Sequence, residues 1–189
     1  MRNIIIALTA LLTLCLTACA QSNIEKNTGN MNKKILVAYF SATGTTRSVA
    51  GQIASATDGT LMEIEPVETY TDADLDWRDK QSRSSVEMHN LDFRPAIKNK
   101  KNAADEYDVV FIGFPIWWDL APTAVNTFIE SNNLQGKTVI PFATSGGSTI
   151  SNSVKELKKQ YPDINWTEGR LLNGISQKAV GQWVKSLGL

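Results

Sequence analysis

The chain has 189 residues, 42% hydrophobic and 20% charged, which is enough for one domain with a sizeable core and too apolar for wholesale disorder. Formal net charge is +0, so no basic field is available to attract nucleic acid. A lone histidine, His89, excludes metal sites built on several histidines, and no metal centre is expected.

The first segment reads as an address rather than as fold. "MRN" carries positive charge, "IIIALTALLTLCL" is an apolar run, and "TAC" places small residues before Cys19. These parts predict an export signal over residues 1–18, with a run too short to span a bilayer comfortably. Leu16-Thr17-Ala18-Cys19 resembles the bacterial lipobox, which makes Cys19 the expected lipidation site and a membrane of the cell envelope the expected location. The competing readings are an uncleaved anchor and an extension before a start at Met31. Cleavage would remove Cys15 and leave no partner for a disulfide with Cys19. Residues 19–33 are polar, contain Gly and Asn, and read as a flexible tether; a folded domain is expected over 34–189.

From Ile35 the pattern becomes regular. "ILVAYF" is a continuous apolar run, as expected of a parallel strand covered on both faces. Val49 and Ile53 then repeat at helical spacing, "TLMEI" reads as a second strand, and Tyr107–Phe114 as a strong third. Pro122 opens a helix carrying Val125, Phe128 and Ile129 inward. "GKTVIPFATS" is the fourth strand, followed by helical spacing at Val154, Leu157 and Tyr161. A fifth strand falls within "INWTEGRLL", and Ala179, Trp183 and Leu187 mark the last helix. This alternation predicts an α/β fold, a doubly wound five-stranded parallel sheet in the order 2-1-3-4-5, with helices on both faces. The exception is the connection spanning 66–102, far longer than usual and expected to cover the sheet edge or the site.

Function in such a fold lies in the strand-to-helix loops, all at one end of the sheet. The first, Ser41-Ala42-Thr43-Gly44-Thr45-Thr46, combines hydroxyls and a glycine with a helix start, which suits a phosphate; the same residues also fit an ordinary helix cap. No lysine follows Gly44, and GxGxxG is absent, so neither common nucleotide loop applies. The second loop carries the adjacent tryptophans Trp117 and Trp118, fitted to a planar ligand or, for one of them, to the core. The third, "TSGGS", could set backbone amides against the polar edge of a heterocycle or be a flexible turn.

Together these loops describe a mononucleotide with a large flat ring, and the chain resembles a flavodoxin. The likeness rests on "FSxTGxT", "GxPIWW" and "TSGGS" in that order, and runs from about Lys34 to the C-terminus. It implies noncovalent FMN, with Ser41, Thr43, Gly44, Thr45 and Thr46 on the phosphate. Pro115, Ile116, Trp117 and Trp118 would pack around the ring, and Thr144, Ser145, Gly146 and Gly147 would meet its pyrimidine edge. No catalytic side chain is required, because the flavin carries the chemistry. The implied function is electron transfer, as a carrier or as a small FMN-dependent reductase acting between NAD(P)H and a quinone or nitro compound. A binding module without redox work is the remaining alternative. The implied partner is a redox protein or a quinone-like acceptor. Two departures matter: carriers of this type are usually strongly acidic, and they commonly have a glycine whose peptide turns toward the reduced flavin. This chain is neutral and has no glycine between Phe114 and Pro122, so two-electron steps are expected.

Other candidates carry less. "DADLD", Asp72–Asp76, imitates a calcium loop, but Trp77 and Arg83 replace its Gly and Glu; a helix start with solvated acids is expected. His89 reads as a surface residue unless the long connection folds over the site, and Arg47 as either a phosphate contact or an exposed helix residue. Lys98–Lys101 is too short for a nucleic-acid patch.

Overall fold

The computed structural model describes residues 33–189; the expected signal peptide, Cys19 and all but the last residue of the tether lie outside the described residues. The apolar runs form β1 (Ile35–Tyr39), β2 (Thr60–Glu63), β3 (Val109–Pro115) and β4 (Thr138–Thr144), and the fifth run forms two short strands, β5 (Asn165–Trp166) and β6 (Arg170–Leu171). All pairings are parallel and the order is β2-β1-β3-β4-β5, with β6 also on β4. This is the expected 2-1-3-4-5 order, its fifth strand divided.

Pro141 explains the division. The carbonyls of Val139 and Ala143 face the fifth strand, accepting from Thr167 N and Leu172 N at 2.9 Å each. Pro141 lies between them on the same side and has no N–H to offer, so the ladder is interrupted there. The chain crosses the gap through Gly169, where a Cβ would approach Ile150 Cδ1 to 2.8 Å.

The helices are α1 (Thr45–Thr57), α2 (Arg83–His89), α3 (Thr123–Glu130), α4 (Ser151–Gln160) and α5 (Gln177–Ser186). Strand side chains alternate between two buried faces. Leu36, Ala38, Val110, Ile112 and Phe114 pack with Val125 and Phe128 of α3 and Val154 and Leu157 of α4. Val37, Phe111, Ile140 and Phe142 pack with Val49 and Ile53 of α1 and Val180 and Trp183 of α5. Gly113 is required by this second face: a Cβ there would lie 2.1 Å from Phe142 Cζ.

The long connection is closed at its base by the Pro66–Ile97 bridge and by Lys98 N donating to Glu65 O at 2.8 Å. It contains α2, whose start is capped by Ser82 Oγ accepting from Ser85 N. Asp72–Asp76 does not start a helix. It is a turn in which the Asp74 carboxylate accepts from Thr71 N and Thr71 Oγ1, at 2.8 and 2.7 Å, and these bonds hold its pKa below the usual value. Among the described residues no helix is long and apolar enough to cross a membrane.

Candidate functional site

The carboxyl ends of β1, β3 and β4 open into one cavity of about 590 Å³, within the usual range for small-molecule sites. Its wall comes from the loops after those strands and from the long connection, and no charged side chain lines it among the described residues.

The loop after β1 turns into α1 through Gly44, which is left-handed at φ 88° and supplies no side chain to cap the helix. Ser48 N is the first amide to find the helical partner, Gly44 O, at 3.1 Å. The amides of the first turn therefore present donors and the positive end of the helix dipole, and no acidic residue occupies that turn. Ser41 Oγ accepts from Gly44 N at 3.1 Å and keeps its own proton free. Thr43 and Thr45 are exposed, their hydroxyls touching only each other at 3.5 Å. Thr46 differs: it is 1% exposed, and its hydroxyl bonds Thr144 Oγ1 at 2.8 Å, tying the first loop to the third. Arg47 points elsewhere, paired with Glu63 at 2.5 Å. Ser41, Thr43, Thr45 and Thr46 line the cavity, whereas Gly44 shapes the loop from outside the wall.

Pro115, Ile116, Trp117 and Trp118 also line the cavity. The two tryptophans divide the roles left open by the sequence. Trp117 packs edge-on against Phe40 and Tyr70, with centroids at 5.5 and 5.3 Å, and joins the core to the long connection. Trp118 is 39% exposed and presents its ring at the mouth. It occupies a tight turn closed by Trp117 N to Leu120 O at 3.0 Å and Leu120 N to Trp117 O at 2.9 Å. Trp118 and Asp119, at the turn's centre, have φ of 46° and 65°, which makes it a type I′ turn built without glycine. Ser153 Oγ of α4 donates to Asp119 O at 2.9 Å and pins it.

In the third loop Thr144, Ser145 and Gly146 reach the cavity. Gly147 does not line it; its N–H is taken by Ser145 Oγ at 3.1 Å. Asn173, just beyond β6, brackets the Ser145 peptide by accepting from Ser145 N at 2.8 Å and donating to Ser145 O. Sequence reading missed Asn173, though a polar residue at the end of the fifth strand falls under the same rule that found the other loops.

The long connection supplies Leu75, Trp77 and Ser84, also missed, because nothing in a loop of that length shows which residues fold back. A buried cluster anchors it. Glu87 is 5% exposed, bonded to Tyr70 Oη and to Arg83 Nε at 2.6 Å, while the Arg83 guanidinium lies 4.0 Å over the Tyr70 ring. Burial, followed by that carboxylate, raises the Tyr70 pKa far above its ordinary value, so the phenol stays protonated. His89 is exposed and outside the wall. Its Nδ1–H donates to Ser85 O at 2.6 Å, and its ring lies 6.1 Å from that of Trp118.

A flavodoxin family model matches residues 34–187. The structure of a candidate flavoprotein from Bacteroides eggerthii is 60% identical over 83% of this chain and 99% of its own, with a TM-score of 0.79. Another, from Bacteroides uniformis, is 61% identical over 81% and 98%, also with a TM-score of 0.79. A flavoprotein from Lactobacillus acidophilus, solved in complex with FMN, is 26% identical over 80% and 98%, with a TM-score of 0.63. No curated protein matches the chain.

Proposed function

The chain belongs to the flavodoxin family, and on that premise we propose that it holds FMN noncovalently in this cavity and passes electrons through it. The observation that carries the proposal is the division of one cavity into an uncapped helix start with free hydroxyls, an aromatic mouth and an amide-bearing edge. The donor set fits a phosphate monoester: first-turn amides, Ser41, Thr43 and Thr45 offer neutral hydrogen bonds without a cationic side chain. Trp118 and Ile116 supply apolar surface for the ring, and the Gly146 amide, beside a Ser145 peptide already bonded to Asn173, would meet its polar edge. When bound, the flavin supplies the redox chemistry; the protein orients it and limits water.

We propose that the protein is exported and anchored in a membrane of the cell envelope by an acylated Cys19, on the strength of the lipobox-like sequence. Purified protein is expected to be yellow and to release FMN on denaturation. A colourless protein that fails to take up added FMN would end the redox reading. Loss of membrane partition in Cys19→Ala is the matching test of the anchor, and an unchanged membrane fraction would count against it.

A further inference from the structure

We infer that Ser84 donates a hydrogen bond to a neutral, flat electron acceptor bearing a carbonyl oxygen, the chemistry of a quinone, taken up beneath the long connection; this rests on the FMN reading above. Ser84 is 2% exposed and forms part of the cavity wall, yet its hydroxyl has no hydrogen-bond partner among the described residues. A buried hydroxyl left without a partner is uncommon and costly, and in a cavity wall it points to a ligand.

The other serines at this helix start are spent on the fold. Ser82 Oγ accepts from Ser85 N and donates to Ser85 Oγ, and Ser85 Oγ donates to Asp79 O at 2.7 Å. Ser84 alone has no such duty. Its position is nevertheless fixed: its N–H donates to Asp74 O at 2.9 Å, and the adjacent Arg83 is locked to Glu87. A donor held this way loses little freedom on binding.

The surroundings define the ligand. Leu75, Trp77 and Trp118 give the wall apolar and aromatic surface at this end, and Trp77 is 70% exposed, an indole that a flat molecule would cover. No charged side chain lines the cavity, so its wall offers a charged acceptor no ion pair, and the apolar surface at this end suits a neutral one. A quinone carbonyl is neutral, planar and accepts only. Its reduction to the hydroquinone takes two electrons from the reduced flavin and two protons, supplied by that flavin and by water. Ser84 lends a hydrogen bond and loses no proton.

The test compares the full-length holoprotein with Ser84→Ala, using a soluble naphthoquinone as the probe and calorimetry for its affinity. FMN affinity is measured separately by fluorescence titration of the apoprotein. The expected result is a naphthoquinone Kd raised about 2- to 13-fold, the weight of one neutral hydrogen bond, with FMN affinity within about twofold of wild type. Thermal stability should hold or rise, since the substitution removes an unpartnered group and introduces a good helix former. Unchanged naphthoquinone affinity overturns the inference, as does a wild-type holoprotein that does not bind the naphthoquinone. A fall in FMN affinity by the same factor would put the hydroxyl on the flavin instead, and a lowered melting temperature would show it serving the fold. Failure of wild type to bind FMN defeats the underlying reading and is seen before the variant is made.

Discussion

Replacing Thr43 and Thr45 with valine, singly and together, removes hydroxyls from the loop leading into α1 and from the first residue of that helix while nearly preserving volume. Both side chains are exposed, and their hydroxyls meet only each other at 3.5 Å, the outer limit of a hydrogen bond. The helix start is Gly44, with no side-chain cap, so neither threonine holds α1 together. Each substitution should then cost the fold less than about 0.5 kcal/mol. Toward a phosphate the accounting differs, because a hydrogen bond to a charged group is worth about 1.5–3 kcal/mol, or roughly 10- to 150-fold in Kd. Riboflavin has the same ring and no phosphate, so its affinity should barely change. Titrating the apoprotein with each flavin and following fluorescence quenching gives both constants; thermal melting gives the stability. Equal weakening of FMN and riboflavin would refute the phosphate assignment. A melting drop worth about 1 kcal/mol would show that the hydroxyls cap the helix after all.

Three further outcomes follow from the same geometry. Thr46→Val or Thr144→Val alone strands a buried hydroxyl and should cost about 1–3 kcal/mol in urea unfolding, while the double variant should cost less than the two singles combined; additive costs would mean that their 2.8 Å bond is not coupled to stability. At the other end of the long connection, hydrogen bonds from Arg94 and then Tyr161 hold the Glu130 carboxyl below its ordinary value of 4.5, against an opposing effect of burial. A depressed folded-state pKa means that the stabilisation is complete above about pH 4.5 and fades as the pH falls through the lower folded value, so Glu130→Gln should flatten the acid side of a stability profile, and identical profiles would refute the pairing. Trp118→Gly, assayed at saturating FMN, should raise the fraction of one-electron-reduced flavin in a reductive titration followed by absorbance; a large fraction already present in wild type would remove the reasoning.

The parallel sheet was legible because β1, β3 and β4 are near-continuous apolar runs buried on both faces, and its order followed from their alternation with helices. Pro141 was legible as a residue but not in its effect, since the cost of a missing donor appears only once the neighbouring strand is placed against it. The loops were found because topology puts every strand's carboxyl end on one side, a rule needing no contact information. What escaped was set by tertiary packing. Thr46 has the same hydroxyl as Thr45, and one helical step turns it inward to Thr144. Ser84, Leu75 and Trp77 lie in a segment whose path depends on Tyr70, Arg83 and Glu87 meeting across a span no local pattern specifies.

The turn Trp117–Leu120 shows how a missing signal can itself carry function. Sequence reading marks turns by clusters of glycine, proline, asparagine and aspartate, and "WWDL" has only Asp119, too little to announce that it and the preceding Trp118 both adopt left-handed backbone. Each non-glycine residue there costs of order 1–2 kcal/mol, offset by the two backbone bonds that close the turn and by Ser153 on the Asp119 carbonyl. Rotating the central peptide would convert the type I′ turn to type II′, which keeps φ positive at Trp118 but moves its ψ into a region that only glycine enters readily. The Cβ of Trp118 therefore opposes a motion that a glycine would permit. A loop that cannot reorient its peptide cannot offer a new hydrogen bond to a flavin that has gained one electron. With FMN and a quinone bound as proposed, a backbone at the cavity mouth that resists this rotation would favour electrons leaving in pairs, which is what reduction of a quinone to its hydroquinone takes.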